Sequence, residues 1–421
     1  MMQTKMIYCY LDDMFHGCLY LGILYVQSNR GREAYSFEWS SDSLEKGPQL
    51  PFLNPHLCAG ICVRQCAGDH LFGLFSDCCP DYWGCLLMKR WERIQARQRD
   101  RHPANLLESD FLLGVHDEAR MGALRFKLDP KGPFLAADVA LAAPPWTELH
   151  KLQEASLHFE NDEGDEAQWL SLLLAPGSSL GGTRPKATVK DEKGDLWIAK
   201  FPSHRDYEDV GAWEMVAHDL AAHCNLHVPE AKALQIAKDG TTFLVRRFDR
   251  QQGKRIHMTS AMTLLDKTQK AHEASYLDIA DWLSANGASP RKDLAELWRR
   301  MVFNILISNT DDHLRNHSFL LCEDGWHLAP LYDVNPNPIG EYLSLGITEE
   351  DSALDIQLAM DTAEFYQLSS QDATKTIAAM ATIIQRDWKD LARKYKISER
   401  SIERMEPAFQ IAKELKTTTA L

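Results

Sequence analysis

Asp311, Asp312, His313 and Asn316 lie between two apolar runs in ISNTDDHLRNHSFLL, residues 307–321. Asp311 and Asn316 are five positions apart, the spacing of the aspartate and asparagine in one well-known phosphoryl-transfer loop. There the aspartate orients the attacking hydroxyl and accepts its proton, and the asparagine holds a magnesium ion. Asp333 follows 17 positions after Asn316 in LAPLYDVNP, behind Tyr332, a candidate nucleotide contact. A carboxylate there would bridge magnesium to the nucleotide phosphates. His313 is placed to donate a hydrogen bond to phosphate or to Asp311. Taken singly, each of these residue types is commonly a helix cap or a turn former. Only the ordered set specifies chemistry. Asp312 is either a third carboxylate at the site or, the favoured reading, a loop carboxylate that faces solvent and tolerates substitution.

Such chemistry also needs a cation on the nucleotide phosphates and a backbone cradle over them. Lys200 sits in the strand-like DLWIAKFP, on the opposite face from Trp197 and Phe201. A lysine in an otherwise apolar strand is costly unless it meets an anion. Glu214, on the helix that the spacing of GAWEMVAHDLAAHCNL predicts, is a candidate ion-pair partner for it, or a first-turn acid answering the helix dipole. Ahead of the lysine runs PGSSLGGTRPK, in which Gly181 and Gly182 would let backbone approach phosphate closely. Thr183, Arg184 and Lys186 complete this candidate nucleotide-binding loop. RRFDR, residues 246–250, is where a hinge would expose main-chain atoms of Arg246 and Phe248 to an adenine ring.

These residues require a particular order of elements. MIYCYLDD and CLYLGILYV read as strands joined by a turn near Gly17, and MGALRFKL as a further strand. LNPHLCAGICVRQCA and YWGCLLMKRWERIQARQR carry helical spacing, and Pro144-Pro145 marks a linker. ATVKD and DLWIAKFP form a hairpin, EAKALQIAK and TTFLVRRFD two further strands, and the chain after Asp249 reads as almost wholly helical. Leu294, Leu297, Trp298, Met301, Val302, Ile305 and Leu306 form an apolar stripe leading into the 307–321 segment. The organisation is therefore α+β, with a β-rich part preceding a helical one. The expected blocks are residues 1–110, 111–250 and 251–421.

The 421 residues carry a net charge of −14, which excludes a nucleic-acid surface covering the protein. No signal peptide and no apolar run of about 18 residues is visible, so a cytoplasmic, non-membrane protein is expected. Eight of the ten cysteines fall in the first 85 residues. The steps of four between Cys58, Cys62 and Cys66 fit a buried helix stripe better than a zinc site, for which no Cys-x2-Cys pair is present.

GSSLGGTRPKA, WIAKFP, RRFDR, NTDDHLRNHSF and LAPLYDVNP, in this order, resemble the HipA family of serine/threonine kinases, toxin components of bacterial toxin–antitoxin pairs. FGLFSDCCPDYWG and DFLLGVHDEARMGALRF resemble that family's N-terminal subdomain. The resemblance implies a two-lobed protein-kinase-like fold, with a β-rich N-lobe, an all-helical C-lobe and an added N-terminal β-rich subdomain. It implies ATP and Mg2+ as cofactors, Asp311 as catalytic base, Asn316 and Asp333 as metal ligands and Lys200 as the ATP lysine. Ser179 matches the family's inactivating autophosphorylation site, with Ser178 beside it. The implied partners are a helix-turn-helix, HipB-like antitoxin, DNA only through that antitoxin, and a protein substrate of the aminoacyl-tRNA synthetase kind. Val334-Asn335 replaces the Phe-Gly of ordinary kinases, and Asn309-Thr310 stands where they carry His-Arg. Asp-x-His-x-x-Asn also resembles lipid-kinase loops, so a small-molecule or lipid kinase and a catalytically weak corepressor module stay open as alternatives.

Overall fold

β1 (Gln3–Asp13) and β2 (Gly17–Asn29) pair antiparallel from Gln3–Ser28 to Asp13–Gly17, with Ile7, Cys9 and Leu11 of β1 and Leu24 and Val26 of β2 fully buried. The alternation is what a half-buried sheet demands. The computed structural model describes residues 3–41, 53, 64–65, 70–137, 143–161, 166–174, 182–238, 240–267 and 274–419. β3 (Arg32–Trp39) pairs with β2, and β4 (Arg64–Gln65) with β3. Residues 64–65 were expected in a helix, and pairing with the open edge of β3 overrides that local spacing. The rest of that expected helix, with Cys58, Cys62 and Cys66, lies outside the described residues apart from Leu53. Gly22 sits at φ +155°, opposite the register shift at Cys9/Tyr10, where a Cβ would fall 2.0 Å from the Glu38 carbonyl oxygen. Only glycine fits there.

α1 (Tyr82–Gln98) starts at Asp81, whose side chain accepts from the Gly84 amide, and α2 (Glu108–Gly114) follows. β5 (Leu124–Lys127) then returns to β1, so the sheet order is β4-β3-β2-β1-β5. α3 (Leu149–Glu160) and α4 (Glu166–Leu174) precede the hairpin of β6 (Lys186–Lys190) and β7 (Leu196–Lys200), in which Lys186 stands opposite Lys200. These elements, with residues 246–259 and 320–323, form one compact unit.

Two buried ionic groups staple it. Lys186 meets Asp81 at 2.9 Å, both side chains being almost wholly enclosed. Asp249 accepts from Arg247 at 2.7 and 2.9 Å, from Arg250 at 2.7 Å and from the Gly122 amide at 2.8 Å. Arg247 and Arg250 donate in turn to the carbonyls of Ala119 and Arg120. Burial alone would raise the Asp249 carboxyl, but the two guanidiniums hold it far below the usual carboxylate range.

The second unit holds residues 205–245, 260–319 and 324–421. α5 (Val210–His223) precedes the antiparallel β8 (Ala231–Ala237) and β9 (Gly240–Arg246). α6 (Tyr276–Asn286) and α7 (Pro290–Leu306) follow, and the whole predicted stripe of α7 is buried. α8 (Ser370–Lys394), α9 (Glu399–Met405) and α10 (Gln410–Thr419) close the chain, with Trp388 stacked on Phe409 at 4.3 Å. The expectation that everything beyond residue 250 is helical needs correction. β10 (Ser318–Cys322) and β11 (Gly325–Leu328) are strands, divided by a turn at Glu323-Asp324. Their apolar runs are too short for helices, and Gly325, at φ +125°, opens β11 directly after the turn. No helix among the described residues is long and apolar enough to cross a membrane.

Candidate active site

α7 drives its buried stripe into the second unit's core and ends at Leu306. Ser308, at φ +52°, then turns the chain out of the helix. The loop that follows is pinned from below. Asn309 returns its amide to the Asn304 carbonyl at 2.8 Å, and Thr310 is gripped by Asn337 through its hydroxyl and by Ser344 through its carbonyl. Asp311 is exposed, whereas Asp312 beside it is 1% exposed. The expectation that Asp312 faces solvent is therefore corrected. Its Oδ2 accepts from the Tyr276 hydroxyl and from His317 Nε2, the latter at 2.8 Å. Burial would raise the Asp312 carboxyl, yet His317 and Tyr276 hold it below its ordinary value.

Asp311 behaves in the opposite sense. Desolvation pushes its carboxyl up, Asp333 and Asp312 add to the rise, and His313 opposes it. Asp311 and Asp333 are thus near enough to repel. The Asn316 side-chain amide donates to the Asp311 carbonyl at 3.2 Å, tying the two ends of the five-residue step together. Asp333 adopts φ +59°, a left-handed conformation that a non-glycine residue holds only at a cost of about 1–3 kcal/mol. Tyr332 donates to the Arg315 carbonyl at 2.6 Å and bonds the Ser318 hydroxyl, fastening the Asp333 segment to the loop. Nδ1 of His313 is buried with no hydrogen-bond partner among the described residues. Asp311, His313, Asn316, Tyr332 and Asp333 therefore belong to one constellation within one unit.

Gly182, Thr183, Arg184, Lys200, Arg246 and Phe248 belong to the other unit. Gly182 and Thr183 are exposed, and Arg184 and Lys200 half-buried. A Cβ on Gly182, at φ +121°, would come within 2.8 Å of Lys186 Nζ. Lys186 itself is 2% exposed and held by Asp81. Its expected place on nucleotide phosphate is corrected, because an ammonium enclosed against a carboxylate is not presented to a ligand. Arg246 meets Asp195 at 2.7 Å, and Phe248 is half-buried. Glu214, on α5, is 4% exposed. Ser178, Ser179 and Gly181 lie outside the described residues.

Sequence reasoning missed Tyr276, Asn304, Asn309 and His317 beneath the loop, and placed Asp312 in solvent rather than among them. The available signal was Asn304, an amide inside an otherwise apolar stripe, which a buried helix tolerates only when partnered.

The HipA-like C-terminal domain matches residues 178–388, half of the chain, and the chain belongs to that family. A "Putative kinase" of Haemophilus influenzae is 30% identical over 187 residues, covering 38% of this chain and 54% of that protein. "Putative kinase Y4dM" of Sinorhizobium fredii is 27% identical over 155 residues, 34% of this chain and 37% of its own. The chain thus spans about half, or less, of the length of these curated relatives. HipA of Shewanella oneidensis MR-1, solved with HipB and operator DNA, superposes with a TM-score of 0.62 at 16% identity, covering 98% of this chain and 99% of that one. At that identity the likeness establishes a shared mixed α/β fold.

Proposed function

We propose that this chain is an ATP- and Mg2+-dependent protein serine/threonine kinase with two lobes, acting as the toxin half of a toxin–antitoxin pair. The observation that carries the proposal is the joining of Asp311, Asn316 and Asp333 in one constellation. The main-chain carbonyl of the residue bearing an exposed carboxylate is bonded by an asparagine five residues on, and a second carboxylate is held in a strained conformation near enough to repel the first.

The donors fit magnesium, which takes hard oxygen ligands and is commonly bound by one or two carboxylates together with substrate phosphates. Asp333 and the Asn316 side-chain oxygen would hold it, since the Asn316 nitrogen is committed to the Asp311 carbonyl. When bound, the ion neutralises charge on the phosphates and relieves the repulsion between Asp311 and Asp333. Asp311 orients the acceptor hydroxyl and takes its proton, and the raised affinity of its carboxyl for protons suits that task. His313 presents a donor toward phosphate. Lys200 supplies a cation to the nucleotide with Glu214 as its proposed ion partner, and Gly181 to Arg184 supply the backbone cradle. Arg246 and Phe248 offer main-chain groups to adenine. Ser179, or Ser178, is the proposed autophosphorylation site. Phosphate there would add nearly two negative charges where nucleotide phosphates belong.

A HipB-like helix-turn-helix antitoxin is the proposed partner, supported by the HipB and operator DNA solved with the Shewanella protein. The net charge of −14 favours DNA contact through a basic partner. An aminoacyl-tRNA synthetase is the proposed kind of substrate. Incubation with radiolabelled ATP and Mg2+, beside Asp311→Ala, followed by mapping of phosphate on the chain, tests the reading. Phosphate on Ser178 or Ser179, lost in the variant, is expected. Nucleotide binding without transfer would leave a binding module, and label found only on a metabolite would point to a small-molecule kinase.

A further inference from the structure

Beneath the exposed Asp311 runs a chain of buried polar groups that phosphoryl transfer does not itself use. His317 Nε2 and the Tyr276 hydroxyl converge on Asp312 Oδ2. The Tyr276 oxygen accepts from Asn304 Nδ2 at 2.9 Å, and Asn304 Oδ1 accepts from Asn309 Nδ2 at 3.1 Å. Asn309 Oδ1 accepts from the Asn335 amide at 3.3 Å. The chain starts one residue beyond the candidate base and ends two residues beyond Asp333. It passes through the first turn of α6, where Ser275 and Asp278 form a capping box, and through the last turn of α7, so rigid elements hold its middle.

Every side chain along it is buried, from Asp312 and Tyr276 to Asn304, Asn309 and His317. A buried carboxylate is tolerated only when fully partnered. Ordinary loop anchoring needs one or two hydrogen bonds, and Asn309 already makes its own to the Asn304 carbonyl. What anchoring alone does not require is a continuous path from one carboxylate segment to the other. Asp333 at φ +59° needs surroundings that over-determine its backbone, and the Asn309–Asn335 bond lies in that surrounding.

We propose that Asp312, Tyr276, Asn304 and Asn309 form a positioning relay that sets the separation of Asp311 and Asp333 for phosphoryl transfer, an inference that rests on the kinase reading. None of the four touches substrate. They act through Asp311 and Asp333, so their loss lowers turnover more than nucleotide affinity. A displacement of about 1 Å at a reacting group lowers rate by about 100-fold.

Tyr276→Phe is the informative variant, because it deletes one hydroxyl and keeps the ring. Asp312→Asn is the second. Both are compared with the wild-type chain by circular dichroism, binding of a fluorescent ATP analogue, single-turnover transfer from radiolabelled ATP, and hydrogen exchange. Tyr276→Phe is expected to fold, to bind nucleotide within about twofold of wild type, and to turn over about 100-fold more slowly. Exchange should rise in both the 309–317 and 332–337 segments and nowhere else. Wild-type turnover in a folded Tyr276→Phe, or loosening of the first segment alone, overturns the relay while the kinase reading stands. A slow variant whose exchange rises across the whole chain assigns Tyr276 a merely structural role and also overturns it. Absence of any transfer by the wild-type chain overturns the kinase reading and the relay together.

Discussion

Substitution of Asp249 by asparagine isolates the buried ionic cluster of RRFDR. Asp249 is wholly buried and accepts four hydrogen bonds, three from Arg247 and Arg250 and one from the Gly122 amide. Asparagine keeps the volume but removes the charge and turns an NH2 group toward guanidinium donors. Two buried cations then face no anion in the cluster. Breaking one partner of a buried pair is destabilising by about 3–5 kcal/mol. For a unit of this size each kcal/mol moves Tm by about 2–4 °C, so the first unit should melt roughly 6–20 °C lower. Arg101→Gln is the control. It opens the exposed pair with Glu92, which solvent screens, so its removal should move Tm far less than loss of the buried carboxylate does. Scanning calorimetry of the wild type and both variants at neutral pH provides the comparison. A drop for Asp249→Asn no larger than that for Arg101→Gln refutes the reasoning.

Lys186→Met, which leaves Asp81 enclosed without its cation, should destabilise the first unit by about 3–5 kcal/mol in chemical denaturation. Nucleotide affinity measured below the melting range should not change beyond twofold. His257 is fully buried, and burial depresses its pKa to about 4, with Asp13 opposing the shift and His16 adding to it. Above pH about 6.5 both states are neutral there. Between that pH and about 4 only the unfolded chain takes up the proton, so about 3 kcal/mol of stability is lost as pH falls through this window. His257→Gln should flatten that part of the stability–pH curve. With Asp311 in its proposed role as base, its raised carboxyl would place the acid limb of kcat/KM above the range of an ordinary aspartate. Raising Mg2+ should move that limb to lower pH, because a nearby cation favours the ionised form.

What the sequence discloses follows from which interactions are local. The step from Asp311 to Asn316 and the apolar stripe of α7 are readable because both are set by neighbours in the chain. β1, β2 and the β6–β7 hairpin carry their alternation openly. Asp312 is misplaced by the sequence because one of its two partners, Tyr276, lies 36 residues away, and nothing in NTDDHLRN distinguishes the enclosed aspartate from the exposed one. Lys186 was misjudged for the same reason: its carboxylate is the N-cap of a helix that begins at residue 82. β4 is held by cross-strand pairing that no local period records. RRFDR was read for its backbone, and its side chains bind carbonyls some 130 positions earlier in the chain.

The stapling of the first unit bears on where this protein can be cut. The family match begins at residue 178, but Asp81, Gly122 and the carbonyls of Ala119 and Arg120 lie upstream of it. A fragment starting there would carry one ammonium, two guanidiniums and the Asp249 carboxylate into solvent or into collapse, with the groups that enclosed them left behind. The leading residues are thus interior walls of the same building rather than an annex. Exchange of that segment between relatives would succeed only where both halves of each staple travel together.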